Sequence, residues 1–234
     1  MGNSAPTVHL PSRQLRIPRM IPAMSTEYLS GTDAIRSEIA IAAARMIAEE
    51  GADYGSAKRR AAKQILGEAK VRGDVLPDNA QIEAEVRAHQ ALFFGDTQPQ
   101  RLLLLRQLAL ELMEQLTAFS PHLTGAVLNG TAGEHSDIHL QLFADSAKDV
   151  AVYLMDRNIR FEVSESQHFK GRADAVETMS FLWKHEGVHL AMYEVDDLRG
   201  ALRNAGGRTE RMGIDDVRAL VLGSESEQSQ EHHR

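Results

Sequence analysis

The chain has 234 residues, a formal net charge of −7 at pH 7, 43% apolar and 25% charged residues, and no cysteine. That length holds one domain with an appendage or two small domains. The missing cysteine excludes disulfides, thiolate nucleophiles and cysteine-ligated zinc, and the acidic balance excludes nucleic-acid binding by bulk charge, leaving only local patches.

Residues 1–30 carry Pro6, Pro11, Pro18 and Pro22 among Arg13, Arg16 and Arg19. Proline at that density opposes regular structure, so a disordered basic arm is expected. These residues lack the continuous apolar core of a secretory signal. No apolar run approaches the roughly 18 residues that span a bilayer. A cytoplasmic protein with no membrane association is expected.

From Thr32 the pattern is helical. Ile35, Ile39, Ala42, Ala43, Met46 and Ile47 recur at helical spacing, and Gly51 stops the run. A second helix fits 56–66. Asp78 or Asn79 caps a third through Phe93, and a leucine-rich fourth runs from about Pro99 to Phe119. This last helix is apolar around much of its circumference, which predicts burial between two halves of the protein or in a homodimer.

After Pro121 the apolar period changes to two. Short strands are predicted at 125–129, 136–143 and 159–163, with a helix over 146–158. A hairpin is predicted from 176–183 and 188–195 around Lys184-His185-Glu186-Gly187, and a last helix near 214–221. The resulting fold class is α+β: a helical region over 31–120, a small mixed-sheet α/β domain over 121–223, and a disordered polar tail over 224–234.

Chemistry concentrates in Leu128-Asn-Gly-Thr-Ala-Gly-Glu-His-Ser-Asp-Ile-His-Leu-Gln-Leu-Phe143. Asp137 and His139 lie two apart on a strand and project to one face, with His135 in the same parity. Such a face could hold a divalent metal through imidazole and carboxylate, or be a solvated polar edge with Ser136 or Asp137 stabilising the turn.

Gly130-Thr131, a short turn, then Ser136-Asp137-Ile138-His139-Leu140 resembles the nucleotidyltransferase signature of the polymerase-β-like superfamily. That signature is a hydrophobic residue, Gly, Gly or Ser, a spacer, then Ser-Asp-hydrophobic-Asp-hydrophobic. The resemblance covers about residues 121–200. It implies transfer of a nucleoside monophosphate from a nucleoside triphosphate to the hydroxyl of an unidentified acceptor. It also implies that Gly130, Thr131 and Ser136 cradle phosphate, and that Asp137 holds a divalent metal, magnesium or manganese.

His139 stands where the family has its second aspartate. His189 stands at the polar position of the strand Gly187-Val-His-Leu-Ala-Met, which resembles the strand of the family's third carboxylate. Glu162 and Glu194 are the carboxylates on other strands, with Glu162 the candidate metal ligand beside Asp137 and His139. Alternatively, Asp137, His139 and His189 could form a two-histidine, one-carboxylate site for zinc, iron or manganese, with the histidines as accessory ligands or acid–base groups. A competing reading is a catalytically degenerate module that binds a nucleotide or a protein.

Gly130-Thr-Ala-Gly133 also resembles the start of the Gly-Thr-x-Gly-Lys-Thr phosphate loop of the peptidoglycan-precursor ligases, such as the UDP-N-acetylmuramate–alanine ligases. Glu134 and His135 replace the lysine and threonine of that loop. A nucleic-acid binder would instead require Lys58, Arg59, Arg60 and Lys63 to join Arg203, Arg208 and Arg211 in one patch.

Overall fold

The computed structural model describes residues 31–67, 75–167, 175–198 and 211–231. The N-terminal arm and the Arg203–Arg208 loop lie outside them.

The helical half begins with α1 (Gly31–Glu50), α2 (Tyr54–Leu66) and α3 (Asn79–Phe93). Each boundary has a local cause. Gly51 takes a positive φ of 67° and ends α1. Asp53 accepts the Ser56 N–H at 2.9 Å and starts α2. Asp78 and Gln81 form a reciprocal capping box on α3. Ile39, Ala43, Ala61, Ile82 and Val86 make a core of their own between these three helices.

Helix α4 (Gln98–Gln115) belongs elsewhere. Its Leu105, Leu112 and Met113 pack in one cluster with Ile138, Leu140, Val188 and Leu190 from the sheet. The cores therefore divide the chain between α3 and α4, earlier than the change of period near residue 120. One face of the leucine-rich helix packs on the sheet of its own chain, and Leu104 stays exposed.

The α/β half runs β1 (His122–Thr124), α5 (Gly125–Asn129), β2 (Ile138–Phe143), α6 (Ala147–Asp156), β3 (Glu162–Gln167), β4 (Ala175–Trp183), β5 (Glu186–Tyr193) and α7 (Ile214–Glu231). The five strands form one sheet in the order β1-β2-β5-β4-β3. β2 and β5 are parallel and all other pairs are antiparallel. The protein is thus α+β, as the patterning predicts.

Register follows from burial. Ile138, Leu140 and Leu142 of β2 and Val188, Leu190 and Met192 of β5 face the helices and are buried. A one-residue slip would exchange them for His139, Gln141 and His189, so the pairing is strongly specified. On the opposite face, Phe143, Val176 and Tyr193 form a small apolar cluster at one end, and the other end is polar.

Three local expectations are corrected. Residues 125–129 form a turn of helix: Gly125 (φ 70°) breaks the strand, Gly130 (φ 87°) ends the turn, and the buried Arg106 donates to the carbonyls of Val127 and Leu128. The β4–β5 turn has two residues, not four. Lys184 and His185 both take positive φ, which matches the strand twist. The tail is helical through Glu231, and Ser224 and Glu225 accept hydrogen bonds from Arg106 and Gln107.

Candidate functional site

In-register pairing lines up one polar row across the sheet. Thr124 faces His139, His139 faces His189, His189 faces Ser180, and Ser180 faces Glu162. Directly paired residues share a face, so the row lies on the side away from the helices. Beside its central part opens a cleft of about 850 Å³, lined by residues that include Asp137, Ser180, Glu186 and His189.

His189 is held from both sides. Its Nε2 lies 3.0 Å from Asp137 Oδ2 and its Nδ1 2.8 Å from Ser180 Oγ. A carboxylate only accepts, so Nε2 carries the proton and Nδ1 accepts the Ser180 O–H. The His139 ring stacks on His189, centroids 4.7 Å apart and planes 19° apart. His139 is exposed at the surface, though its ring nitrogens sit close under neighbouring groups. Loss of hydration first and the neighbouring His189 second lower its pKa to about 4, with Asp137 opposing. His139 is neutral at pH 7.

Asp137 is placed by Gly187. A Cβ built there would overlap Asp137 Oδ1 and stand 2.6 Å from Cγ. Arg101, from α4, makes a bidentate pair with Glu186 at 2.5 and 2.6 Å and also donates to the Glu134 carbonyl. The guanidinium beside Glu186 holds that carboxyl below its usual range.

The turn before β2 is bonded to the helices. Thr131 is 1% exposed, and its hydroxyl donates to Asn129 Oδ1 at 2.6 Å and contacts Tyr54 Oη at 3.1 Å. Gln90 donates to the Thr131 carbonyl, and Gln98 to the carbonyls of Gly130 and Ala132. The turn is a seam on which α2, α3 and α4 dock. Neither Gly130 nor Thr131 lines the cleft, and the Thr131 hydroxyl is already engaged. Ser136 does line the cleft, and its Oγ accepts the Gly133 N–H.

The expected carboxylates do not gather. Glu162 shares the cleft but lies three strands from Asp137, about 14 Å at 4.8 Å per strand. Glu194 is seven residues beyond Gly187, about 23 Å along an extended chain. Both nitrogens of His189 are occupied. Among the described residues no group of three or more His, Asp or Glu is arranged to hold a metal ion. Magnesium needs converging oxygen ligands, so this donor set does not fit a two-magnesium centre.

Of the basic residues, the described ones have local partners. Lys58 bonds Asn79, Arg59 bonds Ser56, and Arg60 pairs with Glu50. Arg211 is buried, donating to the Leu198 carbonyl above the Phe143 ring. Arg203 and Arg208 lie outside the described residues.

One neighbour of His189 escaped the sequence reading, Ser180. The signal for Ser180 is the hairpin register, which a two-residue turn sets opposite His189. Among the described residues no helix is long and apolar enough to cross a membrane. No family model, curated protein or solved structure matches the chain.

Proposed function

We propose that this chain carries a nucleotidyltransferase-like domain whose cleft binds a nucleoside triphosphate. One observation carries the reading: Asp137, the residue just before β2, and His189 on β5, the parallel neighbour of β2, meet over Gly187 at the cleft. In the resemblance these positions belong to the first and third acidic residues. The first is kept and the third is a histidine bonded to it. Arg160 and Arg101, the latter in its pair with Glu186, supply guanidinium groups to the same cleft.

The chemistry these residues support is acid–base. His189, oriented by Asp137, takes or returns the proton of a hydroxyl at its Nδ1 side. Transfer of a nucleoside monophosphate to an acceptor hydroxyl is the reaction this reading implies, in the cytoplasm, where nucleoside triphosphates are abundant. No step is assigned to a metal, because the donor set does not fit a two-magnesium centre.

A second reading, a non-catalytic module that binds a nucleotide or a protein, is favoured by the histidines at the second and third acidic positions. Leu92 and Phe93, 75% and 63% exposed at the end of α3, are apolar surface for a protein partner or a second copy of the chain.

Thermal unfolding with each nucleoside triphosphate, alone and with magnesium, manganese or zinc, tests both. A ligand at about 100 times its Kd adds about 2.7 kcal/mol, a rise of about 5–10 °C for a chain of this size. Asp137→Ala is expected to abolish the rise. No shift with any pair refutes nucleotide binding. A shift without turnover selects the binding module.

A further inference from the structure

We propose that Ser180 is a nucleophile, activated by His189 and oriented through it by Asp137, that attacks phosphorus in a phosphoric ester or anhydride. The choice of a nucleoside triphosphate as that anhydride rests on the function proposed above; the activation of Ser180 does not.

Three observations converge. Ser180 Oγ is 2.8 Å from His189 Nδ1, and His189 Nε2 is 3.0 Å from Asp137 Oδ2. This is the nucleophile, base and orienting carboxylate arrangement that recurs on unrelated folds, recognised by geometry and not by sequence order. Ser180 and His189 come from the adjacent strands β4 and β5 and Asp137 from the entry to the next strand, β2, and all three line the same cleft. The His139 ring stacked on His189 and the Gly187 backbone under Asp137 restrict both partners, so the relay is preorganised.

The sheet itself selects phosphorus over a carboxylic ester. An acyl transfer builds a new oxyanion, usually met by backbone N–H groups. Ser180 is paired on both sides, with Glu162 on β3 and His189 on β5, so the neighbouring backbone is committed to the sheet. Negative charge here must be met by side chains, and the guanidiniums of Arg160 and of Arg101, in its pair with Glu186, line the cleft beside the carboxylates of Glu134, Asp137 and Glu162. A planar guanidinium matches a phosphoryl group that arrives already charged.

The step balances without a further reagent. The Ser180 oxygen forms a bond to the α-phosphorus, its proton passes to His189 Nδ1, and the bond from the α-phosphorus to the bridging oxygen breaks. Pyrophosphate leaves, taking that proton from His189, and a nucleoside monophosphate remains on Ser180. Water or an acceptor hydroxyl then attacks the phosphorus, its proton passes to the neutral His189, and His189 returns it to the Ser180 oxygen as the bond from that oxygen to phosphorus breaks.

The test treats the full chain with a fluorophosphonate, followed by intact mass and peptide mapping. The expected result is one adduct, with loss of fluoride, on Ser180. The rate should fall at least tenfold in His189→Gln and clearly in Asp137→Asn, with no adduct in Ser180→Ala. Peptide mapping on the natural chain locates the adduct even if a variant fails to fold. No adduct, an adduct elsewhere, or an unchanged rate in a folded His189→Gln overturns the proposal. Adding each nucleoside triphosphate first separates the two readings. Slower labelling supports a nucleotide in the cleft; labelling at Ser180 that no nucleotide slows refutes nucleotide binding and leaves the activated serine standing.

Discussion

Gly187→Ala should disable the site while leaving the fold almost as stable as before. The new Cβ would overlap Asp137 Oδ1 and stand 2.6 Å from Cγ. Carbon contacts settle near 3.5–4.0 Å, so the carboxyl must move by about 1 Å. That shift lengthens the 3.0 Å bond to His189 beyond hydrogen-bond range. The pair is partly solvated, 47% exposed at Asp137 and 31% at His189. Its loss should therefore cost only about 1 kcal/mol. Alanine recovers about 0.4–1 kcal/mol by restricting the unfolded chain, so the melting temperature should change by no more than about 2–4 °C. The readout is the ¹⁵N shifts of the His189 imidazole, which report the tautomer. They should move from a fixed Nε2–H form toward a mixture. In an Asp137→Ala background the same change should add nothing, because its target is gone. Unchanged His189 shifts in a folded Gly187→Ala protein would refute this account of how Asp137 is positioned.

Two further outcomes are expected. His139 titrates at 6.5 when unhindered and at about 4 in the fold, so on acidification the unfolded chain takes up its proton first. Stability contributed by the neutral ring is present above pH 6.5 and is lost as pH falls toward 4; His139→Asn should flatten that slope by about 1 kcal/mol after allowance for its exposure, measured as urea midpoints against pH, and an unchanged slope would sink the assignment. Thr131→Val removes a buried hydroxyl bonded to Asn129 and Tyr54 and should cost about 1–3 kcal/mol, with any nucleotide-induced rise in melting temperature unaltered, whereas a hydroxyl that cradled phosphate would lose that rise.

The parts of the fold legible from the sequence are those with local causes. Helix α3 is bounded by its own capping box and α2 by Asp53. The alternation Ile138, Leu140, Leu142 against His139 and Gln141 sets the face on which His139 stands. Misreadings occurred where the deciding contact is distant. Residues 125–129 are apolar and short enough for a strand, and the Arg106 guanidinium on α4 caps them as a helical turn. The polar tail after Ser224 reads as disordered, but α4 residues anchor its helix.

At the candidate site the same division holds. The sequence by itself determined the α+β class, the parity of Asp137 and His139, and the polar position of His189 on its strand, because period and capping are properties of neighbouring residues. Only the tertiary structure decided that β5 lies parallel beside β2, which joins His189 to Asp137 across 52 residues of chain. It also decided that Glu162 is three strands away and that Thr131 is buried in the seam between the two halves. Ser180 shows the reason most directly. A four-residue turn would keep its face but set it opposite Ala191; the observed two-residue turn sets it opposite His189. Strand order and register are set by which apolar faces bury together, and no local pattern carries that information.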